Sequence, residues 1–465
     1  MNPIYEALPV FGQNIACSAA GWFRQQQRFT RHFWRTLERW EETLFADDHT
    51  LRATQAHRLA PLIEHARTQT RHYAGIPPMP RHHDPERAIE LAFAQIEPLE
   101  KAVYRARPEA FLARDILPHR LIRGQTSGTT GTALRLWCTR ETLAEEYASV
   151  WRMRRQLGLT PRDPHLTFGG RMVVPFRTQE PPFWRWDAST DQTLFSLYHM
   201  SERNLPAYVD AIHASRADYV QGYPSSLHLM ARALLQAGRP IAPGRLRAVF
   251  TSSESLLAFQ REKIEAAFGA HVYDRYGTSE FVVSMTACPA QRLHADPEYC
   301  IVEVEPVEET AEYVRGPLLV TGLANFATPF LRYRIGDVGT RLKKPCECGR
   351  AGDVFESIDG RIEDYLATPD GRLVGRVDHI FKEQPAVAEA QIVQTHPGEV
   401  TLHVVPTAAW TMREEESLTR AFRARLGNEI AISIKLTDAI PREPNGKFRL
   451  VKSYVGKLSG EERGR

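Results

Sequence analysis

Between about residue 160 and residue 280 the chain repeats one pattern, and that pattern restricts the fold more than any other feature. A short apolar run leads into a polar, glycine- or serine-bearing loop, and a helical stretch follows. Leu166-Thr167-Phe168 runs into Gly169-Gly170, and Tyr219-Val220-Gln221 into Gly222-Tyr223-Pro224-Ser225. Residues 246–251 run into Ser252-Ser253-Glu254, and His271-Val272-Tyr273 into the segment at Arg275. Helical stretches fall between them, at 226–237 and 259–268. Strands linked through helices make an α/β sheet with its ligand-binding loops at the strand ends.

The flanking regions read differently. Phe23, Phe29, Phe33, Trp34, Leu37 and Trp40 recur at helical spacing over residues 22–44, the pattern of a helix packed on the body. Residues 51–73 read as a second amphipathic helix, ended near Gly75-Ile76-Pro77-Pro78. After 300 the strands come faster, at 301–305, 318–321 and 331–334, as in an antiparallel or barrel-like section. Past Gly360 the pattern resets to strands at 391–395, 400–405 and 432–436 around a helix at 414–426. The expected fold class is therefore α/β and α+β. A large N-terminal domain (1–360, with 1–50 a helical arm) combines α/β sheets with a barrel-like β section, and a small α+β C-terminal domain (361–465) sits on a hinge.

Composition narrows the function. A formal net charge of +3 over 465 residues, with basic and acidic residues interspersed, gives no reason to expect a nucleic-acid partner. No apolar run approaches the length of a transmembrane span. Six cysteines are too few for a disulfide scaffold in so long a chain, and reduced thiols suit a cytoplasmic protein.

Four polar clusters carry chemistry. In Thr126-Ser127-Gly128-Thr129-Thr130-Gly131, glycines let backbone N–H groups approach a ligand and hydroxyls add donors, which makes either a phosphate cradle or a polar surface turn. In Tyr276-Gly277-Thr278-Ser279-Glu280, the aromatic suits a purine, the threonine a phosphate and the carboxylate a Mg²⁺ ion. In Tyr333-Arg334-Ile335-Gly336-Asp337, an acid after a strand suits ribose hydroxyls. Pro441-Arg442-Glu443-Pro444-Asn445-Gly446-Lys447 presents one lysine, a point charge suited to a carboxylate or phosphate.

Together and in this order, these motifs resemble the adenylate-forming superfamily of acyl-CoA synthetases, adenylation domains and luciferases. Gly360-Arg361-Ile362-Glu363-Asp364 resembles its hinge motif, with Glu363 where the family usually has Asp. His65-Ala66-Arg67 and Ser252-Ser253-Glu254 are similar to the phenylacetate–CoA ligase-like branch, nearest to its capsule-biosynthesis-associated members.

The resemblance implies an ATP- and Mg²⁺-dependent activation of a carboxylic acid to acyl-AMP with release of pyrophosphate. The acyl group would then pass to CoA, or to a sugar, amine or carrier. A nucleotide-binding protein without turnover is the non-enzymatic alternative. By the same resemblance Thr126, Ser127, Gly128, Thr129, Thr130 and Gly131 would bind the β- and γ-phosphates. Ser253 and Glu254 would line the adenine pocket, Tyr276 and Gly277 would lie against adenine, and Thr278 would touch the α-phosphate. Glu280 would hold Mg²⁺ and Asp337 the ribose, with Arg361 nearby. Lys447 would bridge the substrate carboxylate and the α-phosphate, and Glu363 and Asp364 would form the hinge. Thr132-Ala133 replaces the Pro-Lys pair that often follows the phosphate loop, so the loop contributes N–H groups and hydroxyls but no lysine.

Cys288 with His294, and Cys346 with Cys348, offer three thiols and an imidazole, a set that suits a structural, tetrahedral Zn²⁺. They read equally as unrelated reduced side chains, although members of the branch resemble this arrangement. For the acyl pocket, Tyr223-Pro224-Ser225 and residues 168–171 and 175–186 are the candidates by motif order, with Arg171 or Arg177 available to an anionic tail.

Overall fold

The computed structural model describes residues 3–125, 134–361, 366–369, 373–374, 377, 380–381, 384, 386–442 and 448–455. They form two compact units: Met1–Leu256, Gln260–Ile335 and Gly339–Ile358 make the first, and Leu257–Phe259, Gly336–Val338 and Asp359–Arg465 the second.

The first unit opens with α1 (Pro3–Ala7), α2 (Val10–Arg28) and α3 (Arg31–Glu42). The single helix expected over 22–44 is broken at Thr30, whose side chain accepts from the Phe33 N–H and starts α3 afresh. Phe33, Leu37 and Trp40 are buried as the spacing predicts, but Phe23 and Trp34 face solvent. α4 (Asp48–Gln69) is capped by Asp47, and α5 (Pro85–Phe93) and α6 (Lys101–Ala106) follow. The hairpin of β1 (Ile122–Gln125) and β2 (Arg135–Cys138) leads to α7 (Arg140–Gln156), which begins at a reciprocal Thr139–Thr142 cap.

The repeating region then supplies β3 (His165–Gly169), β4 (Trp184–Asp187), β5 (Gln192–Ser196), α8 (Leu205–Ala214), β6 (Tyr219–Gly222), α9 (Pro224–Gln236), β7 (Ala248–Ser252), α10 (Ala258–Phe268) and β8 (Val272–Gly277). β5, β3, β6, β7 and β8 are parallel neighbours in that spatial order. The chain enters at β3, adds β5 on one side and crosses to β6 on the other. That is a doubly wound arrangement with its switch between β3 and β6, where such sheets open a ligand crevice. Phe168, Val220, Val249 and Val272 are almost wholly buried, as expected of parallel strands covered on both faces. Gly222 of β6 pairs with Phe168 of β3. A Cβ there would lie 2.6 Å from the Phe168 carbonyl oxygen, so no larger residue fits without moving backbone.

β9 (Ser284–Ala287), β10 (Leu293–Ala295), β11 (Cys300–Val304), β12 (Glu308–Glu309), β13 (Tyr313–Gly322), β14 (Tyr333–Leu342) and β15 (Val354–Arg361) complete the first sheet. The antiparallel section expected after 300 is thus present. It joins the parallel section along one path, β8-β9-β10-β15-β14-β13-β11.

The second unit carries the small hairpin β16 (Leu366–Ala367) and β17 (Leu373–Val374). Its larger sheet comprises β18 (Val387–Gln394), β19 (Glu399–Pro406), β20 (Ala431–Leu436) and β21 (Val451–Ser453), in the order β20-β19-β18-β21. Between β19 and β20 lies α11 (Met412–Leu426), whose Leu418, Phe422 and Leu426 pack on Ile392, Leu402 and Val404 of the sheet. Burying each of these side chains contributes about 1.5–3 kcal/mol. This is the α+β arrangement the sequence pattern predicts.

Candidate functional site

The motif residues on β7 and β8 lie at neighbouring strand ends. Ser253 follows β7 and adopts φ +73°, a left-handed conformation that a non-glycine residue holds only under constraint. Ser253→Gly is expected to raise the unfolding free energy by about 1 kcal/mol, read from urea denaturation. The Glu254 carboxylate accepts from the Ser225 N–H at 3.0 Å and the Ser225 Oγ at 3.1 Å. Tyr223 gives α9 no side-chain cap, so Glu254 supplies the negative charge at that helix start and ties the β7 loop to the β6 loop.

At the end of β8, Tyr276 packs against the main core and pairs with Met285 of β9. Thr278 keeps its Oγ1 buried with no hydrogen-bond partner among the described residues. Glu280 is buried, and the Tyr333 hydroxyl donates to its Oε1 at 3.4 Å. Burial and the Glu280 charge push the Tyr333 pKa far up, so its hydroxyl stays a donor. Tyr104, a core residue with no motif around it, feels the same carboxylate and donates to the Arg135 carbonyl at 2.5 Å. Neither tyrosine's link to Glu280 is readable from sequence, because each contact joins residues far apart in the chain.

Asp337 lies on β14 after Gly336, which takes φ +91°, and is half-buried. Arg361 is the last residue of β15. Thr126, Ser127, Gly128, Thr129, Thr130 and Gly131, the hinge residues Glu363 and Asp364, and Lys447 lie outside the described residues. Gln125 and Arg135, which flank the phosphate-loop motif, are partners in the β1–β2 register. Arg442 and Phe448 flank the lysine segment, and the Arg442 guanidinium lies 4.7 Å from the Phe448 ring centre.

The four predicted metal ligands are brought together. Cys288 follows β9, His294 sits in β10, and Cys346 and Cys348 lie between β14 and β15. Their ligand atoms all lie within 4.8 Å of one another. Cys288 Sγ and Cys346 Sγ are 3.7 Å apart, and Cys348 Sγ and His294 Nε2 3.4 Å. Burial, with help from Arg350, lowers the His294 pKa to about 4, so the imidazole is neutral. Burial and the neighbouring thiols raise the Cys348 pKa to about 12.

A doubly wound sheet with these motifs at its strand ends, continued by antiparallel strands and followed by a small α+β unit, is the fold of the adenylate-forming ligases. It superimposes on 2-hydroxyisobutyryl-CoA ligase in the postadenylation state with 2-HIB-AMP at a TM-score of 0.65 and 18% identity, covering 88% of this chain and 90% of that one. ATP-bound MatB from Rhodopseudomonas palustris superimposes at a TM-score of 0.50 and 20% identity, covering 76% and 70%. In sequence, the chain is 24% identical to Protein CapK of Staphylococcus aureus over 461 residues, 98% of this chain and 100% of that protein. The family model for the CapK C-terminal domain matches residues 366–454. The chain thus resembles Protein CapK along 461 residues and has an adenylate-forming ligase fold, in agreement with the motif resemblance. Among the described residues no helix is long and apolar enough to cross a membrane.

Proposed function

We propose that this chain joins a carboxylic acid to AMP, using ATP and releasing pyrophosphate, and then passes the acyl group to the thiol of CoA. The carrying observation is the pair of neighbouring strand ends that set Ser253–Glu254 and Tyr276–Glu280 side by side, in a fold that holds an acyl-AMP in 2-hydroxyisobutyryl-CoA ligase. In the first step a carboxylate oxygen attacks the α-phosphorus, and the bond to the leaving pyrophosphate breaks. In the second, the acceptor thiol loses its proton, attacks the acyl carbon, and AMP leaves.

Tyr276 stacks on adenine, with Gly277, Ser253 and Glu254 beside it, and Asp337 receives the ribose. The orphaned Thr278 hydroxyl suits an α-phosphate oxygen, and Arg361 supports the ribose and phosphate. Thr126, Ser127, Gly128, Thr129, Thr130 and Gly131 cradle the outer phosphates. Glu280, a buried carboxylate beside a phenol donor, suits Mg²⁺, which supplies charge neutralisation when bound. Lys447 brings the remaining positive charge, and Glu363 and Asp364 serve as the hinge between domains 1–360 and 361–465.

The test is pyrophosphate release with ATP, Mg²⁺ and a panel of aromatic, hydroxy and amino acids, followed by mass spectrometry of the products with and without CoA. Pyrophosphate and an acyl-CoA are expected. An acyl-AMP consumed only by a sugar, amine or carrier would replace the acceptor. Nucleotide binding without pyrophosphate from any acid would leave a binding protein instead.

A second reading rests on the cysteine cluster: Cys288, His294, Cys346 and Cys348 hold a structural Zn²⁺. Tetrahedral zinc with Zn–S bonds of about 2.3 Å sets neighbouring sulfurs about 3.8 Å apart. The Cys288–Cys346 separation of 3.7 Å matches that edge. Three thiolates on zinc leave one net negative charge, and the buried Arg350, whose hydrogen bonds go to Gln156 and Met153, lies close enough to balance it. All six cysteines are free, which suits the cytoplasm, a reducing compartment.

A further inference from the structure

We infer that the acid activated by this chain carries a second anionic group at its far end, and that Arg171 binds it. The inference rests on the adenylation reading above and names its substrate class.

Topology sets the place. Arg171 follows Gly170 just beyond β3, on one side of the switch between β3 and β6. Tyr223 starts α9 on the other side, its N–H donating to the Phe168 carbonyl at 3.0 Å. Tyr198 donates to the Gly170 carbonyl at 3.1 Å and fixes the backbone that presents Arg171. Arg171, Tyr198 and Glu254 all lie near enough to Tyr223 to act on it electrostatically, at the strand ends that border the switch. β6 and β7 lie between β3 and β8, and three strand spacings amount to about 14 Å. An acid activated near the β8 motif reaches Arg171 only with a tail of several carbon atoms.

Charge sets the chemistry. α2 packs on β4 and α7, and brings Arg24 and Arg28 towards Arg171 and Tyr147. The Arg28 guanidinium lies 4.4 Å from the Tyr147 ring centre. Arg24 lies 3.6 Å from the Asp187 carboxylate, which also accepts from the Ser189 N–H and hydroxyl. Asp187 is the carboxylate that acts on both Arg24 and Arg171, so two guanidinium groups share it. Neither Arg28 nor Arg171 forms a direct ion pair with a carboxylate among the described residues. The walls around Arg171, together with Arg24 and Arg28, lower its pKa, although its side chain reaches solvent. Arginine keeps its proton under such pressure, so the cluster stays positively charged and open to an anion from solvent. Arg177, the other arginine the sequence offers for this role, is spent on the Glu6 carbonyl at 2.9 Å.

The second anion can be a carboxylate or a phosphate, and the experiment separates them. Pyrophosphate release is measured for octanoate, for suberate, and for an ω-phosphorylated hydroxy acid of similar length. The anionic-tailed acids are expected to exceed octanoate in kcat/KM by about 10- to 100-fold, the range of a charge-assisted hydrogen-bond pair. The better of the two identifies the tail. Arg171→Met is expected to erase most of that preference through KM, and Arg171→Lys to restore part of it. Octanoate preferred over both, or an unchanged preference in Arg171→Met, would overturn the inference while leaving adenylation standing. If no acid releases pyrophosphate, the adenylation reading fails. Calorimetric titration of the same acids without nucleotide then decides: binding lost in Arg171→Met upholds the anion site, and no binding by the wild-type protein overturns it.

Discussion

Lys447→Ala is expected to slow pyrophosphate release by about 10²- to 10³-fold, the usual cost of removing one group aimed at developing charge. A carboxylate attacking an α-phosphate sets anion against anion, so positive charge at the junction lowers the barrier directly. This chain has Thr132-Ala133 after the proposed phosphate loop, where many adenylate-forming ligases have Pro-Lys. The loop therefore offers no lysine of its own, and the burden on Lys447 grows. Pro444 and Gly446 precede that lysine in a segment with turn chemistry, so the fold should be indifferent to the change. Circular dichroism and the melting temperature should match wild type. The two half-reactions supply the control. Given synthetic acyl-AMP and CoA, Lys447→Ala should form thioester within about tenfold of the wild-type rate, since that step sets a thiolate against a neutral acyl carbon rather than one anion against another. Equal loss in both halves would remove Lys447 from the adenylation step.

The parts of the fold legible in sequence are those where burial leaves a periodic mark. β3, β6, β7 and β8 are covered on both faces, so each reads as an apolar run ended by a polar loop. β4 and β5 escaped because they mix buried and half-exposed residues, as in Trp184-Arg185-Trp186-Asp187, and Arg185 is buried through hydrogen bonds rather than apolarity. The break at Thr30 escaped because the apolar spacing runs on across it, while the cap acts through one hydroxyl. In the site, Tyr276, Thr278 and Glu280 were legible as a compact motif. The hold of Glu254 on the start of α9 was not, because Ser225 lies on a different strand-end loop. The gathering of Arg24 and Arg28 near Arg171 was hidden for a similar reason. On an amphipathic helix, arginines read as a solvated face until the neighbouring elements are placed. The cysteine cluster was legible because thiols are scarce here, yet only the β9–β10 turn and the β14–β15 connection bring them within reach.

Protein purified without added metal is expected to contain about one zinc per chain, and Cys288→Ser close to none, by elemental analysis. Binding of the folded state alone stabilises it by about 4 kcal/mol when free zinc stands a thousandfold above its dissociation constant. Cys288→Ser should therefore lower the unfolding free energy by several kcal/mol, and a strong chelator should destabilise the wild type but not the variant. A zinc content near zero in the wild type would rule the site out. The effect should also reach the proposed chemistry. Cys288 directly follows β9, whose Met285 pairs with Tyr276 and whose Ser284 pairs with Gly277. His294 lies on β10, the next strand along, opposite Thr286. Without the proposed metal the connection that holds these strands together would loosen, and with it the register that presents Tyr276 and Thr278. Zinc-depleted protein should accordingly show a raised KM for ATP in the proposed reaction before it shows any loss of the fold, and added zinc should reverse it.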